Sequence, residues 1–339
     1  MSGPETTCRG CAAPVAPADR FCENCGSALS DIARIAIPRP ATAPAGPCAD
    51  CGNDSYVDDY CGECGNRRPE PDRDGADLGG IVMVSDRGLE HARNEDAAAA
   101  GLVGPAGSRP WAAAAAVCDG VSTSSNAHTA AAAASTAGVD AMLAALAACR
   151  SGRTAVLAGL AEAARAAAGA AGADSPTGPS CTYTGAVVVP TDEGAVQISV
   201  GNVGDSRAYW VPEPPAPAER LTVDDSLSQE LITAGAHEES EAVQAGAHVL
   251  TRWLGADAEA KPWADSSVLT VTAAGPGSLV LCTDGLWNYL PHADDIGRLC
   301  TGTDHAAMAT ALIEHALRCG GHDNVTVAII PIGGSHEFG

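Results

Sequence analysis

The sequence predicts an α+β domain set behind two small cysteine-built units, and three observations carry the prediction. Eight of the 14 cysteines fall between positions 8 and 64 as Cys-x-x-Cys pairs. From residue 79 onward, short β-like runs cluster at both ends of a long stretch with alanine-rich helical segments between them. That segregated order suggests α+β rather than alternating βαβ units. Acidic residues, two of them followed by glycine, recur where those runs end.

Composition sets the outer limits. The 339 residues hold 19 Lys+Arg against 42 Asp+Glu, a formal net charge of −23, and 46% of them are hydrophobic. That hydrophobic share is ordinary globular usage and excludes disorder throughout. The acidic balance repels a phosphate backbone or an anionic membrane surface unless a local basic patch overrides it. Lys261 is the only lysine and alanine fills every permissive position, a bias that weakens composition as a guide to function. Residues 1–30 carry cysteines, prolines and charges where a secretory signal would need an apolar core. The alanine-rich runs at 112–117 and 127–149 are broken or bounded by Asp119, His128 and Asp140, and alanine is too weakly apolar to hold a span in lipid. The expectation is a soluble, cytoplasmic protein without a membrane span.

The front end is a repeat of about 40 residues. Cys8-x-x-Cys11 is followed by Cys22-x-x-Cys25, and Cys48-x-x-Cys51 by Cys61-x-x-Cys64. Two intervening residues let both thiolates of a tight turn face one ion, and Gly26, Gly52, Gly62 and Gly65 beside them can supply positive φ. Two such turns close a four-sulfur cage with no open position, so two structural Zn ions are expected. A disulfide framework would need an oxidising compartment. Each unit is too small for a core, so the metal supplies its folding energy.

The units resemble the tandem zinc ribbons of many bacterial regulatory proteins. Residues 1–68 carry six Arg and no Lys against nine acids. With no basic stripe, a protein-docking or positioning module is favoured over a nucleic-acid reader. The expected organisation is ribbon 1 at 1–30, a Pro/Ala linker at 31–47, ribbon 2 at 48–67, a second linker at 68–78, a domain at 79–333 and a tail at 334–339.

Within 79–333 the β-like runs fall at 81–85, 112–118, 186–189, 196–200, 206–211, 268–272, 279–282 and 325–330. Helical stretches fall at 127–149, 154–171, 226–234 and 304–319. Glu95 and Asp96 precede one alanine run, Asp119-Gly120 closes another, Asp205 follows a run at 196–203, Asp284-Gly285 follows 279–283, and Asp323 precedes 325–330. One Asp-Gly is ordinarily a turn. Five such sites present hard oxygen donors at strand ends, which suits magnesium or manganese.

Their order and surroundings resemble the PPM (type 2C) family of metal-dependent serine/threonine phosphatases, over about 79–332. The stretches that carry the resemblance are SDRGLEHARNED at 85–96, VCDG at 117–120, NVGDSRAY at 202–209, LTVDDSL at 221–227, LTRWLG at 250–255, LCTDGLW at 281–287 and GHDNVTV at 321–327. The resemblance implies a four-layer α-β-β-α sandwich of two antiparallel sheets with the metals at one end between them. It implies that Asp119 bridges two Mn or Mg ions with the Gly120 carbonyl as a further ligand. Asp284 and Asp323 would hold the first ion, Glu95 would reach the second, Asp96 would orient waters, and Asp205 would serve a third, weaker ion. The implied chemistry is in-line attack on phosphorus by a water that the cations activate. No cysteine nucleophile is needed, and the six scattered cysteines lack a Cys-x5-Arg spacing; they read as small core residues.

Three departures bear on activity. The family's phosphate-anchoring arginine position is His91 here, with Arg93 two residues on, and either can meet phosphate. After Asp119-Gly120 the loop reads VSTSSNAH, so Val121 cannot protonate a leaving group, which leaves water or His128, itself also readable as a surface residue opening a helix. The flap expected at about 227–248 carries the acids Glu238, Glu239 and Glu241, either as a solvated face or to select basic phosphopeptides. The leading expectation is an active phosphatase of phosphoserine and phosphothreonine proteins, opposing a bacterial Ser/Thr kinase and placed by its ribbons. The alternative is a catalytically weak or inactive binding protein with the same fold.

Overall fold

The computed structural model describes residues 6–7, 11–15, 21–26, 29–39, 47–48, 51–57, 60–66, 73–105, 110–170, 178–191 and 195–333. Cys8, the tail at 334–339 and much of both expected linkers lie outside the described residues. Twelve strands build the main body. They are β1 (Ser30–Ile37), β2 (Arg73–Leu78), β3 (Ile81–Asp86), β4 (Ala97–Pro105), β5 (Ala112–Cys118), β6 (Tyr183–Pro190), β7 (Val196–Val203), β8 (Arg207–Pro212), β9 (Glu219–Arg220), β10 (Val268–Ala273), β11 (Gly277–Cys282) and β12 (Val325–Ile332). The first sheet runs β1-β4-β5-β6-β7-β10 and the second β2-β3-β12-β11-β8-β9. Every neighbouring pair in both sheets is antiparallel.

The helices are α1 (Ala127–Ala147), α2 (Gly152–Gly169), α3 (Leu227–Thr233), α4 (Glu241–Ala245), α5 (Asp284–Trp287), α6 (Ala293–Leu299) and α7 (His305–Cys319). Strand alternation divides the interior into three cores. Along β5, Ala112, Ala114 and Ala116 face α1 and α2, while Ala113, Ala115 and Val117 face the other sheet. Along β12, Ala328 and Ile330 enter the seam between the sheets, and Val327 and Ile329 pack beneath α5, α6 and α7. Both faces of these strands are buried, which yields the expected four-layer α-β-β-α sandwich. α1 is long and apolar enough to cross a membrane, but it lies on the first sheet with Met142, Leu143 and Leu146 fully buried there.

Register brings the functional strand ends together. Ala97 stands opposite Cys118, Thr184 opposite Val117, Arg207 opposite Cys282 and Val325 opposite Asp86. The residues just beyond these positions, Asp96, Asp119, Asp205, Asp284 and Asp323, therefore emerge at one end of the sandwich.

The structure differs from the sequence reading at its edges. Residues 31–37, expected in a linker, continue β1, which pairs along its length with β4. Ile37 is 1% exposed in the seam, with Ile35 half-buried beside it. The period-2 spacing of these isoleucines is a strand signal that the surrounding prolines obscured. Residues 73–78, assigned to the second linker, form β2 at the edge of the other sheet. The two edges meet where the Arg39 guanidinium donates to Asp74 Oδ1 at 2.7 Å and to the Gly75 carbonyl at 2.6 Å. The polyalanine start of β4 also escaped the reading, because its side chains favour helix and only burial between two layers makes it a strand. Of the six scattered cysteines, Cys118, Cys181, Cys282 and Cys300 are buried, while Cys149 and Cys319 are exposed.

If β1 is part of the sandwich, Ile37→Ala should cost about 2–5 kcal/mol in urea unfolding. Ile32→Ala, at a site 42% exposed, should cost less than about 1 kcal/mol. Equal small losses would remove β1 from the fold.

Candidate active site

A cavity of about 650 Å³ opens at the end of the seam, and Asp119, Asp205, Asp284 and Asp323 line it. Glycines let the strands converge this tightly. A Cβ on Gly285 would lie 2.0 Å from the Asn324 carbonyl oxygen, and one on Gly120 would lie 2.8 Å from the Glu95 carbonyl oxygen. Neither has positive φ, so close approach rather than backbone freedom fixes glycine after each aspartate.

Side chains behind the cavity hold the carboxylates in place. Asp96 is 1% exposed, and its Oδ2 accepts from Thr283 Oγ1 at 2.9 Å and from Thr326 Oγ1 at 2.7 Å. Asn324 ties the opening loop down. It accepts from the Glu95 N–H at 2.7 Å and donates to the Arg87 carbonyl at 2.7 Å and the Arg93 carbonyl at 3.1 Å. The Asp119 N–H donates to Thr182 Oγ1 at 3.0 Å. The buried Arg207 guanidinium pairs with Asp224 and lies 3.6 Å over the Trp287 ring, whose Nε1 donates to the Asp205 carbonyl at 2.9 Å.

This packing leaves the carboxylates short of positive partners. Burial, then repulsion from neighbouring acids, pushes Asp205 up to about 8 and Asp119 far above the usual carboxylate range. Burial likewise pushes Asp96 up to about 8, against its threonine hydrogen bonds and with added repulsion from Asp323. Burial also raises Asp323 and Glu95, although Arg93 and His91 favour ionised Glu95. Asp96 Oδ1 and Asp284 Oδ1 are buried acceptors with no hydrogen-bond partner.

The two expected phosphate anchors already have partners. His91 Nε2 lies 3.1 Å from Asp323 Oδ1, and Arg93 Nη1 lies 3.1 Å from His128 Nδ1. Neither is among the residues lining the cavity. His128 opens α1 half-buried and is not a lining residue either. The sequence reading missed His248, at the end of the flap. Its Nδ1 lies 3.7 Å from Asp284 Oδ2 and its ring stacks on Trp287 with centroids 6.2 Å apart. Only its place next to the LTRWLG stretch could have flagged it. The flap base is closed by the Leu227 N–H donating to the Val249 carbonyl at 2.8 Å. Glu238, Glu239 and Glu241 are exposed and do not line the cavity.

The cysteine units form separate clusters. The sulfurs of Cys48, Cys51, Cys61 and Cys64 all lie within 4.8 Å of one another, as do those of Cys11, Cys22 and Cys25. The Cys48–Cys64 and Cys51–Cys61 separations of 3.6 and 3.4 Å are near the ~3.8 Å edge of a tetrahedral zinc–sulfur cage. Among the described residues none of these sulfurs is in a disulfide. Gly26, Gly52 and Gly65 have positive φ as expected, and Gly62 does not. Backbone N–H groups of Cys64 and Glu63 lower the Cys61 thiol to about 6, while Cys51, against a lowering hydrogen bond from the Asn53 backbone, is pushed up to about 12 by its contact with Cys61. Among the described residues only these cysteine groups bring three donors within 4.8 Å, so the carboxylates surround a wider space.

Comparison with known proteins places this arrangement. The PPM Ser-Thr phosphatase MsPP from Mycobacterium smegmatis, solved with cacodylate, matches at 26% identity and a TM-score of 0.58, over 76% of this chain and 100% of that one. The chain has the fold of the PPM phosphatases. The catalytic domain of the serine/threonine phosphatase PstP, solved with two manganese ions, shares that fold at 24% identity and a TM-score of 0.52, over 77% of this chain and 99% of that domain. In sequence, the serine/threonine phosphatase stp of Listeria innocua is 33% identical over 135 residues, 40% of this chain. The match spans about half, 51%, of that curated relative's length. No family model matches the chain.

The raised carboxylates set a pH dependence for the metal-free chain. Unfolded aspartates ionise near 3.8, whereas Asp96 and Asp205 hold protons in the fold up to about 8. The native state therefore binds more protons across that window, and stability falls as pH rises from about 4 to 8. Thermal melts of metal-free protein should show this decline, and manganese should reverse it at pH 8.

Proposed function

We propose that the chain is a metal-dependent phosphatase of phosphoserine and phosphothreonine proteins, with its cysteine units as zinc ribbons that dock a protein partner. The observation that carries this reading is the set of buried, mutually repelling carboxylates at the seam of a PPM fold. The residues fit divalent cations on their own chemistry. Two buried carboxylate oxygens lack partners, and the raised aspartates regain their charge only beside positive charge. The wider spacing suits ions that keep several waters, as magnesium and manganese do.

In this reading Asp119 and the Gly120 carbonyl would hold two Mn or Mg ions jointly. Asp284 and Asp323 would complete one side, Glu95 the other, and Asp205 would serve a third ion. The cations, when bound, supply Lewis-acid activation of water and neutralise charge on the phosphoryl group. The chain's own part is to fix the geometry. Thr283 and Thr326 hold Asp96 so that its free oxygen can accept from a water, and Asn324 holds Glu95 and Asp323 in register. His91 and Arg93 are the nitrogen donors beside Glu95 that a phosphate can recruit. A rival reading, a binding protein with weak or no turnover, is disfavoured because every core carboxylate is still present and supported.

The ribbons would each hold one zinc through four thiolates, Cys8 completing the first set with Cys11, Cys22 and Cys25. A thiolate cage of this kind needs a reducing compartment, consistent with the cytoplasm. Their acidic charge argues for a protein partner, such as a bacterial Ser/Thr kinase or its substrates, over nucleic acid.

Manganese-dependent hydrolysis of a phosphothreonine peptide tests the catalytic reading. Asp284→Asn should lower kcat/KM by on the order of 10²-fold or more, the scale of one lost electrostatic contact in a transition state. Equal rates in both proteins would support the binding-protein rival. Dialysis that strips manganese should leave two zinc ions per chain by elemental analysis, and fewer than one would refute the double ribbon.

A further inference from the structure

Resting on the phosphatase reading, we propose that Trp253 and Asp257 form a subsite for an arginine or lysine side chain next to the phosphorylated residue. Both residues line the cavity that holds the carboxylates. Trp253 is half-buried, and its Nε1 donates to Asp257 Oδ1 at 3.1 Å. The second Asp257 oxygen has no partner among the described residues, so the carboxylate keeps an open acceptor.

The segment that carries Trp253 is pinned on both sides. Arg252 Nη1 donates to Asp225 Oδ1 at 2.9 Å, and the Thr251 N–H donates to the Asp225 carbonyl at 2.9 Å. Leu254 and Gly255 pair with Cys181 and Ser180, and Leu254 is fully buried. The indole is thus a fixed wall whose only polar atom is already committed to Asp257.

Charge identifies the ligand. Asp119, Asp205, Asp284 and Asp323 are assigned to metal ions, which leaves Asp257 as the lining carboxylate with no such task. The lining contains no arginine or lysine to neutralise it. A guanidinium or ammonium group meets there an aromatic face and a free carboxylate oxygen, which attract it together. An apolar side chain would gain the ring and waste the carboxylate. The exposed acids of the flap, Glu238, Glu239 and Glu241, add a field of the same sign.

The test uses the full chain loaded with manganese and a series of phosphothreonine peptides. Each carries a single arginine at one of the two positions on either side, and all-alanine, phenylalanine and glutamate peptides complete the set. The best arginine peptide should exceed the alanine peptide about tenfold in kcat/KM, and its phosphonate analogue should bind about tenfold more tightly by calorimetry. Trp253→Ala should reduce that ratio to below about threefold. Asp257→Lys should invert it in favour of a glutamate-flanked peptide, a reversal that damage to the fold does not produce. Equal binding of arginine and alanine peptides, a stronger phenylalanine peptide, or a preference that survives both substitutions would overturn the subsite. If the phosphonates show the preference while neither peptides nor p-nitrophenyl phosphate are hydrolysed, the subsite stands and the phosphatase reading fails.

Discussion

The repulsion among carboxylates crowded at one end of the seam is the interaction on which the rest of the site depends. Asp96, Asp119, Asp205, Asp284 and Asp323 come from five separate strand ends, and burial removes the water that would otherwise screen them. In the chain alone Asp96, Asp119 and Asp205 relieve that repulsion by holding protons, while His91 and His248 lie against Asp323 and Asp284. A divalent cation held there, as proposed, would compete with those protons for the same oxygens, so metal affinity and the protonation of the site would be two views of one equilibrium.

The architecture tolerates this because its support is laid out in depth. Alanine-rich strands let two sheets and two helix layers pack closely, and their rigidity fixes where each strand stops. Thr283, Thr326, Thr182 and Asn324 then satisfy the polar groups immediately behind the cavity. The Arg207–Asp224 pair is buried under Trp287. Leaving either partner of that pair alone would strand a charge in the interior, and Trp287, packed on Arg207, links the pair to the Asp205 carbonyl.

Much of this was legible in the sequence, for reasons that differ by residue. The aspartates were found because their Asp-Gly and Asp-Asn settings recur in order, and the cysteines because their spacing is a coordination pattern. The need for the glycine of each Asp-Gly lies in residues remote in sequence, Asn324 against Gly285 and Glu95 against Gly120, which no local pattern records. β1, β2 and β4 were missed because edge pairing and two-sided burial override weak local signals. His248 was missed because its partner Asp284 lies far along the chain, on the far side of a loop whose path no local pattern records.

The clamp between Arg39 and Asp74 bears on how far the second cysteine unit can travel. β1 ends at Ile37 on the edge of one sheet and β2 begins at Arg73 on the edge of the other, so the stretch that carries the second cysteine unit is fixed where it leaves and where it returns. A flexible tether of similar length attached at one end would roam about 30 Å. Were that unit to dock a protein as proposed, anchorage at two points would make the docked protein's effective concentration a property of shape more than of chain statistics. Which phosphorylated positions on such a protein reach the cavity would then be decided by how its surface curves from the ribbon toward the mouth.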